Sequence, residues 1–257
     1  MLETDYNRYL STKMVVYLIN ISGGKDSEHY ESLSGTITAI NDDLVSMRMP
    51  YSIGRSAAEA GEGNITYKLL SEVLGVGVQV LADLTKIEND VIHLRLRGNL
   101  EIFQRRNAAR VDTTIRWYRY LRAASIEYYR VMYNKLTSCI ESGEMPSEIK
   151  MEEAKINLSA SGLRCTLPMA TGKSPPPLSM FLLDLGEQKP LICTVAELIW
   201  TRDNALESIS GYRFIIIRKK DRNLITRYVR SIAPEQELQD DFKKNWELLD
   251  SMSSEES

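Results

Sequence analysis

The run Ser34-Gly35-Thr36-Ile37-Thr38-Ala39-Ile40 meets the polar turn Asn41-Asp42-Asp43 and returns as Leu44-Val45-Ser46-Met47-Arg48-Met49. Two β-type runs on either side of a short polar turn predict an antiparallel hairpin. The same pattern repeats outward in both directions. Upstream, the apolar run Met14 to Ile21 ends at Ser22-Gly23-Gly24-Lys25-Asp26. Downstream come Gly63 to Leu70, Gly77 to Thr85 and Asp90 to Leu96. Short strands at regular spacing with polar turns predict a small antiparallel barrel over residues 14–103. A parallel α/β fold would need strands alternating with long helices, and that pattern is missing here.

A second β-rich half begins near Gln104. Val111, Thr113, Ile115 and Trp117 alternate as in a half-buried strand. From Leu121 the period changes: Leu121, Ala124, Tyr128, Val131 or Met132, and Leu136 predict a helix near 121–141, closed by Gly143, Pro146 and Ser147. Its Tyr-rich face is expected to pack on the barrel. Arg119, Arg122, Arg130 and Lys135 make the rest basic and read as a solvated face. Strands resume over Lys155 to Leu158, Leu163 to Leu167, Leu178 to Leu185, Leu191 to Thr201 and Tyr212 to Arg218. A last helix is expected from Asp221, as N-cap, to Ile232, with Leu224, Ile225, Tyr228, Val229 and Ile232 as its stripe and Pro234 beyond. The predicted class is therefore mainly β: two small antiparallel β-barrels, 14–103 and 104–234, with an inserted helix and C-terminal helices.

Composition narrows the function classes. With 43% hydrophobic and 26% charged residues, the chain of 257 residues reads as a soluble globular protein. No apolar run approaches the roughly 20 residues that span a bilayer, and the longest candidate, Phe214 to Ile217, ends at Arg218, Lys219 and Lys220. Membrane insertion is not expected. The first residues lack the apolar core of a signal peptide, so the cytoplasm is the expected location. Cys139, Cys165 and Cys193 are far apart, and neither His29 nor His93 has a ligand-spaced partner, so no metal or cofactor is expected. Residues 235–257 carry net −6 of a chain total of −3, which leaves a body at +3. That mild excess suits a small anionic ligand and is too weak to argue for duplex DNA.

Two short segments carry the chemistry. Arg105-Arg106-Asn107-Ala108-Ala109-Arg110 places three guanidinium groups where the two halves join. A guanidinium can fork onto phosphate oxygens, pair with guanine O6 and N7, and stack on a base. Alone, such a cluster is as readily a solvated linker. Asn157-Leu158-Ser159-Ala160-Ser161-Gly162 offers short hydrogen-bonding side chains at a strand end, with a glycine where backbone can approach a ligand. Alone, it is an ordinary β-turn. A third segment, Ser22-Gly23-Gly24-Lys25-Asp26-Ser27, resembles the SGGxDS loop of ATP pyrophosphatases. That mechanism needs a substantial helix directly after the loop, whereas the polar stretch from Glu28 to Gly35 predicts a hairpin loop. No nucleophile has a base beside it in sequence, so an enzyme is not expected.

Taken together, the first two segments resemble the RxxxR and [D/N]xSxxG motifs of PilZ domains, with Arg106 and Arg110 on the first, Arg105 preceding it, and Asn157, Ser159 and Gly162 on the second. Gly211-Tyr212-Arg213-Phe214 and the Asp221 to Ile232 helix are similar to the end of that domain. Residues 14–103 resemble, in order and spacing, the N-terminal barrel of YcgR-type flagellar brakes. The resemblance implies a cyclic di-GMP receptor in which Arg105, Arg106, Arg110, Asn157, Ser159 and Gly162 contact the messenger. Ligand would order the junction, reorient the N-terminal barrel and bring the protein to flagellar motor proteins at the basal body. The stretch between Arg110 and Asn157 is longer than the family usually has. Its extra helix is either packed on the barrel or an interface with another copy of the chain. The rival expectation is a nucleotide-insensitive adaptor on the same fold.

Overall fold

Twelve strands and two α-helices make up the computed structural model, which describes residues 6–22, 29–51, 65–73, 76–103, 109–168, 175–186, 190–203 and 207–233. The first half supplies β1 (Val15–Asn20), β2 (His29–Asn41), β3 (Leu44–Arg48), β4 (Thr66–Val73), β5 (Val76–Glu88) and β6 (Val91–Phe103). They pair in the order β1-β4-β5-β6-β3-β2, and β2 returns to β1 to close the ring. The second half supplies β7 (Arg110–Leu121), helix α1 (Ile126–Ser142), β8 (Glu152–Ser159), β9 (Gly162–Pro168), β10 (Leu178–Asp184), β11 (Ile192–Asp203), β12 (Glu207–Arg218) and helix α2 (Lys219–Ile232). Its ring runs β12-β11-β10-β7-β8-β9 and is closed by β9 on β12. The fold is mainly β, as the spacing of turns predicts.

Alternation explains the strands. In β3, Val45 and Met47 point into the first core, and in β7, Val111, Ile115 and Trp117 point into the second while Asp112, Thr114 and Arg116 face out. The Asn41–Leu44 hairpin forms as read, with Asp42 at φ 54°, a left-handed conformation that Asp tolerates better than most residues. The stretch after Ser22–Ser27 is a strand: β2 begins at His29 and pairs with β1. The helix that a pyrophosphate-cradling loop would need is therefore replaced by β structure. Residues 23–28 of that loop lie outside the described residues.

Strand β10, Leu178-Ser179-Met180-Phe181-Leu182-Leu183-Asp184, is buried on both faces. Phe181 and Leu183 fill the second barrel together with Trp117, Tyr212, Phe214 and, from α2, Ile225 and Val229. Leu178, Met180 and Leu182 face outward and join Cys193 and Val195 of β11, Ile215 and Ile216 of β12, and the α1 side chains Ile126, Tyr129, Tyr133 and Leu136. That cluster is continuous with the core of the first barrel, including Val16, Leu18, Leu33 and Met47. The barrels are thus joined through apolar packing, and also by backbone: Glu31, Tyr30 and His29 of β2 pair with Ile216, Ile217 and Arg218 of β12.

Both helices differ from their sequence reading. β7 continues through Leu121, and α1 starts only at Ile126, where the Ser125 side chain accepts a hydrogen bond from the Tyr128 amide. Its buried stripe is Ile126, Tyr129, Tyr133 and Leu136, and Val131 is 67% exposed. The Tyr-rich face does pack on the protein's own barrels, where the Tyr129 hydroxyl donates to the carbonyls of Arg122 (2.7 Å) and Leu178 (3.0 Å). The basic face is not simply solvated, because Arg130 reaches across to Glu31 of β2 and also pairs with Glu127. Helix α2 starts at Lys219, with Arg218 rather than Asp221 at its cap. Asp221 instead lies buried in the first turn, its Oδ2 accepting from Arg218 Nε at 2.6 Å. Arg218 also pairs with Glu141 near the end of α1, and this ties the two helices together.

Candidate functional site

Strand register assembles the candidate site on the outer face of the second barrel. Arg110 stands opposite Ser159, Ser159 opposite Gly162, Gly162 opposite Arg213, and Arg213 opposite Glu197. These five residues form one row across β7, β8, β9, β12 and β11. A parallel row two residues away runs Asp112, Asn157, Arg164, Gly211, Trp200. Neighbouring strands lie about 4.8 Å apart, so each row follows the curve of the closed ring for roughly 19 Å. Of the residues expected to act together, Arg110, Asn157, Ser159 and Gly162 are brought side by side. Arg105 and Arg106 fall outside the described residues, as does the acidic segment 235–257.

The turn is built by its own small side chains. Ser159 is 1% exposed. Its hydroxyl donates to the Gly162 carbonyl (3.1 Å), accepts from the Ser161 amide (3.3 Å) and meets the Ser161 hydroxyl (3.1 Å). Gly162 has a different justification from the one its sequence context suggests. A Cβ there would collide with the Tyr212 carbonyl oxygen and stand 3.1 Å from Arg213 Cα, so the glycine admits the β12 backbone. The Phe214 amide then donates to the Ser161 carbonyl at 2.9 Å. Gly211 plays the same part for Trp200, whose half-exposed indole occupies the place a side chain would take. In the second row, Asn157 Nδ2 and Arg164 Nη2 both donate to Asp112 Oδ1, at 2.9 and 3.4 Å.

The first row ends in a polar knot that no local motif announces. Arg213 Nη2 donates to Glu197 Oε2 at 3.0 Å, and its guanidinium lies 3.8 Å from the ring centroid of Tyr17 on β1. Glu197 also accepts from the Ser34 hydroxyl of β2. Burial pushes the Glu197 carboxyl up, while the Arg213 charge and the two donated bonds pull it back. Tyr51 packs beside it, its phenol raised first by burial and then by the Glu197 charge. Sequence reading missed Arg213 and Glu197 because they are 16 residues apart and meet only through strand register. Tyr212 and Phe214 on the inner face imply by alternation that Arg213 faces outward, which was the one available signal.

Among the described residues, no His, Cys, Asp and Glu cluster could hold a metal ion, and no helix is long and apolar enough to cross a membrane.

No family profile matches the chain, and no curated protein matches it in sequence. Solved structures of PilZ proteins are among those it is similar to. The Bacillus subtilis inhibitor of motility MotI/DgrA is 12% identical, with 89% of this chain and all of that chain covered and a TM-score of 0.35. YcgR from Escherichia coli, solved in complex with c-di-GMP, is 13% identical over 86% of this chain and 85% of its own, with a TM-score of 0.31. A tetrameric PilZ domain from Xanthomonas campestris is 13% identical over 51% of this chain and 91% of its own, at 0.35.

Proposed function

We propose that the protein is a non-enzymatic receptor for cyclic di-GMP and that its binding face is made by the β7, β8, β9 and β12 members of the two rows, with the Trp200 indole beside them. The supporting observation is the register that sets Arg110 directly opposite Ser159, at the edge of the 159–162 turn. Arg105 and Arg106, just upstream in sequence, are two further guanidinium groups of this proposed set. Each can fork onto a phosphate or onto guanine O6 and N7. Arg164 sits in the middle of the adjoining row, and Trp200 at its end offers an aromatic face for a purine. Ser159 and Gly162 serve the ligand indirectly: the first holds the turn shut and the second draws β12 against it. Asn157 presents its amide beside Asp112, level with Arg164 in the second row.

Calorimetric titration with cyclic di-GMP tests the assignment. Arg110→Ala should weaken binding by about 2–4 kcal/mol, or roughly 30- to 1,000-fold, if the guanidinium is desolvated against phosphate or guanine. A loss below about threefold, under half of the 1.4 kcal/mol that marks a factor of ten, would reject it. The resemblance to flagellar brakes extends this reading to a ligand-bound form that engages motor proteins at the basal body. Swimming speed in cells carrying wild type or Arg110→Ala measures that directly.

One observation favours the adaptor reading instead. The Ser159 hydroxyl and the Asn157 amide already have partners within the protein. A wild-type titration that gives neither heat nor thermal stabilisation would establish the adaptor. A ligand-driven swing of the first barrel would have to open the apolar cluster that both barrels share. Any ligand-linked change is therefore expected at the polar end of the seam.

A further inference from the structure

That polar end contains an arginine with two competing calls on it. Arg213 lies in the same row as Arg110 and Ser159, directly beside Gly162, and its side chain emerges on the outer face. In the structure it is held by Glu197 and by the Tyr17 ring of the first barrel. Its Nε is buried and has no hydrogen-bond partner among the described residues. Glu197 is 2% exposed and accepts donors on both oxygens, Arg213 on Oε2 and Ser34 on Oε1, the pattern of an ionised carboxylate.

We propose that Arg213 is a further ligand-positioning residue, which leaves Glu197 for an anionic group of the ligand on the neighbouring turn, so that ligand binding is coupled to uptake of a proton by Glu197. This rests on the receptor reading above. A carboxylate at 2% exposure that loses the cation paired with it among the described residues cannot stay charged at little cost, and taking a proton is its cheapest relief. The proton comes from solvent and no covalent bond among heavy atoms changes. The groups facing Glu197 are Arg213 of β12, itself stacked on Tyr17 of β1, Ser34 of β2 and Tyr51 beyond β3. Glu31 of β2, paired with Arg130 of α1, acts on the same Tyr51 from farther off. Among these only Arg213 lies next to the turn, so only its departure should change the charge of Glu197. Ser34 donates to Glu197 from the first barrel, so the swap also alters the seam between the barrels without parting their apolar cluster.

The direction with pH follows from linkage. A complex that holds one more proton than its free components forms more tightly as pH falls, by up to about tenfold per pH unit for one proton. The experiment is titration calorimetry of the full chain with cyclic di-GMP between pH 6 and 8 (about the range where His and shifted carboxyls titrate), each pH in two buffers of different ionisation enthalpy. Wild type should take up close to one proton per ligand near neutrality and bind more tightly at the acid end. Glu197→Gln, neutral from the start, should still bind, with uptake abolished and affinity at the alkaline end equal to or above wild type. Arg213→Met should lose at least about tenfold in affinity, as expected for truncating one partner of a charged contact. Wild-type binding with no proton uptake, or uptake that persists in Glu197→Gln, would overturn the proposal while leaving the receptor reading intact. No wild-type binding at all would overturn both. The wild-type buffer series needs no variant, so a misfolded mutant does not shield the idea.

Discussion

The outer surface of the second barrel has two unlike halves. Over β10 and β11 it is apolar, with Leu178, Met180, Leu182 and Val195 covered by α1 and joined to the first barrel's core. Over β7, β8 and β9 it is polar, with Asp112, Arg110 and Arg164 left uncovered. Both halves come from the same closed ring, and the alternation rule treats them alike. What separates them is the residue type at outward positions: aliphatic in one half, charged in the other. The first half builds a scaffold, and the second carries the proposed recognition face.

Substitutions on each half should therefore report different things. The largest effect is expected in the covered half. Tyr129→Ala removes a fully buried ring together with its hydroxyl contacts to Arg122 and Leu178 and should cost about 3–5 kcal/mol in denaturant unfolding. Both barrels should lose stability in one transition, since the cluster is shared; two separate transitions would break the picture of a common core. Gly162→Ala sits at the border between the halves. Its methyl group would push against the β12 backbone, with an expected cost of about 1–3 kcal/mol and a lowered melting temperature. If it melted like wild type, the close approach of β9 and β12 would be wrong. Asp112→Ala, in the open half, should change stability by less than about 1 kcal/mol because its carboxylate is largely solvated. It frees Arg164 and Asn157, so ligand affinity should rise while the melting temperature stays put.

Much of this division was present in the sequence, unevenly spread. The strands of the first barrel and the 41–44 hairpin follow from local alternation and turn chemistry, and the structure repeats them with shifted ends. The run Leu178 to Leu183 also carried a message: an antiparallel strand apolar at every position but Ser179 has something on its outer face. The phase of α1 was ambiguous for a physical reason. Its neighbouring apolar pairs Tyr128 and Tyr129, and Met132 and Tyr133, support two stripes offset by one residue, and the Ser125 cap with the end of β7 selects between them. Arg110 and the 157–162 turn stood out as small motifs. Arg213, Glu197 and Trp200 did not, because their neighbourhoods are set by registers across several strands. Asp221 reads as a cap from its place before an amphipathic stripe, yet the buried Arg218 draws it inside the first turn.

Strand β12 is the last of the described strands, and it pairs with β9, β11 and β2 at once. On the ribosome, the second ring therefore cannot close until residues 207–218 have emerged. Until then β9 and β11 each present an open edge, a known route to intermolecular pairing. A message truncated anywhere upstream of Glu207 should yield aggregates rather than a smaller working protein, and degradation of such fragments would be the cell's only useful outcome.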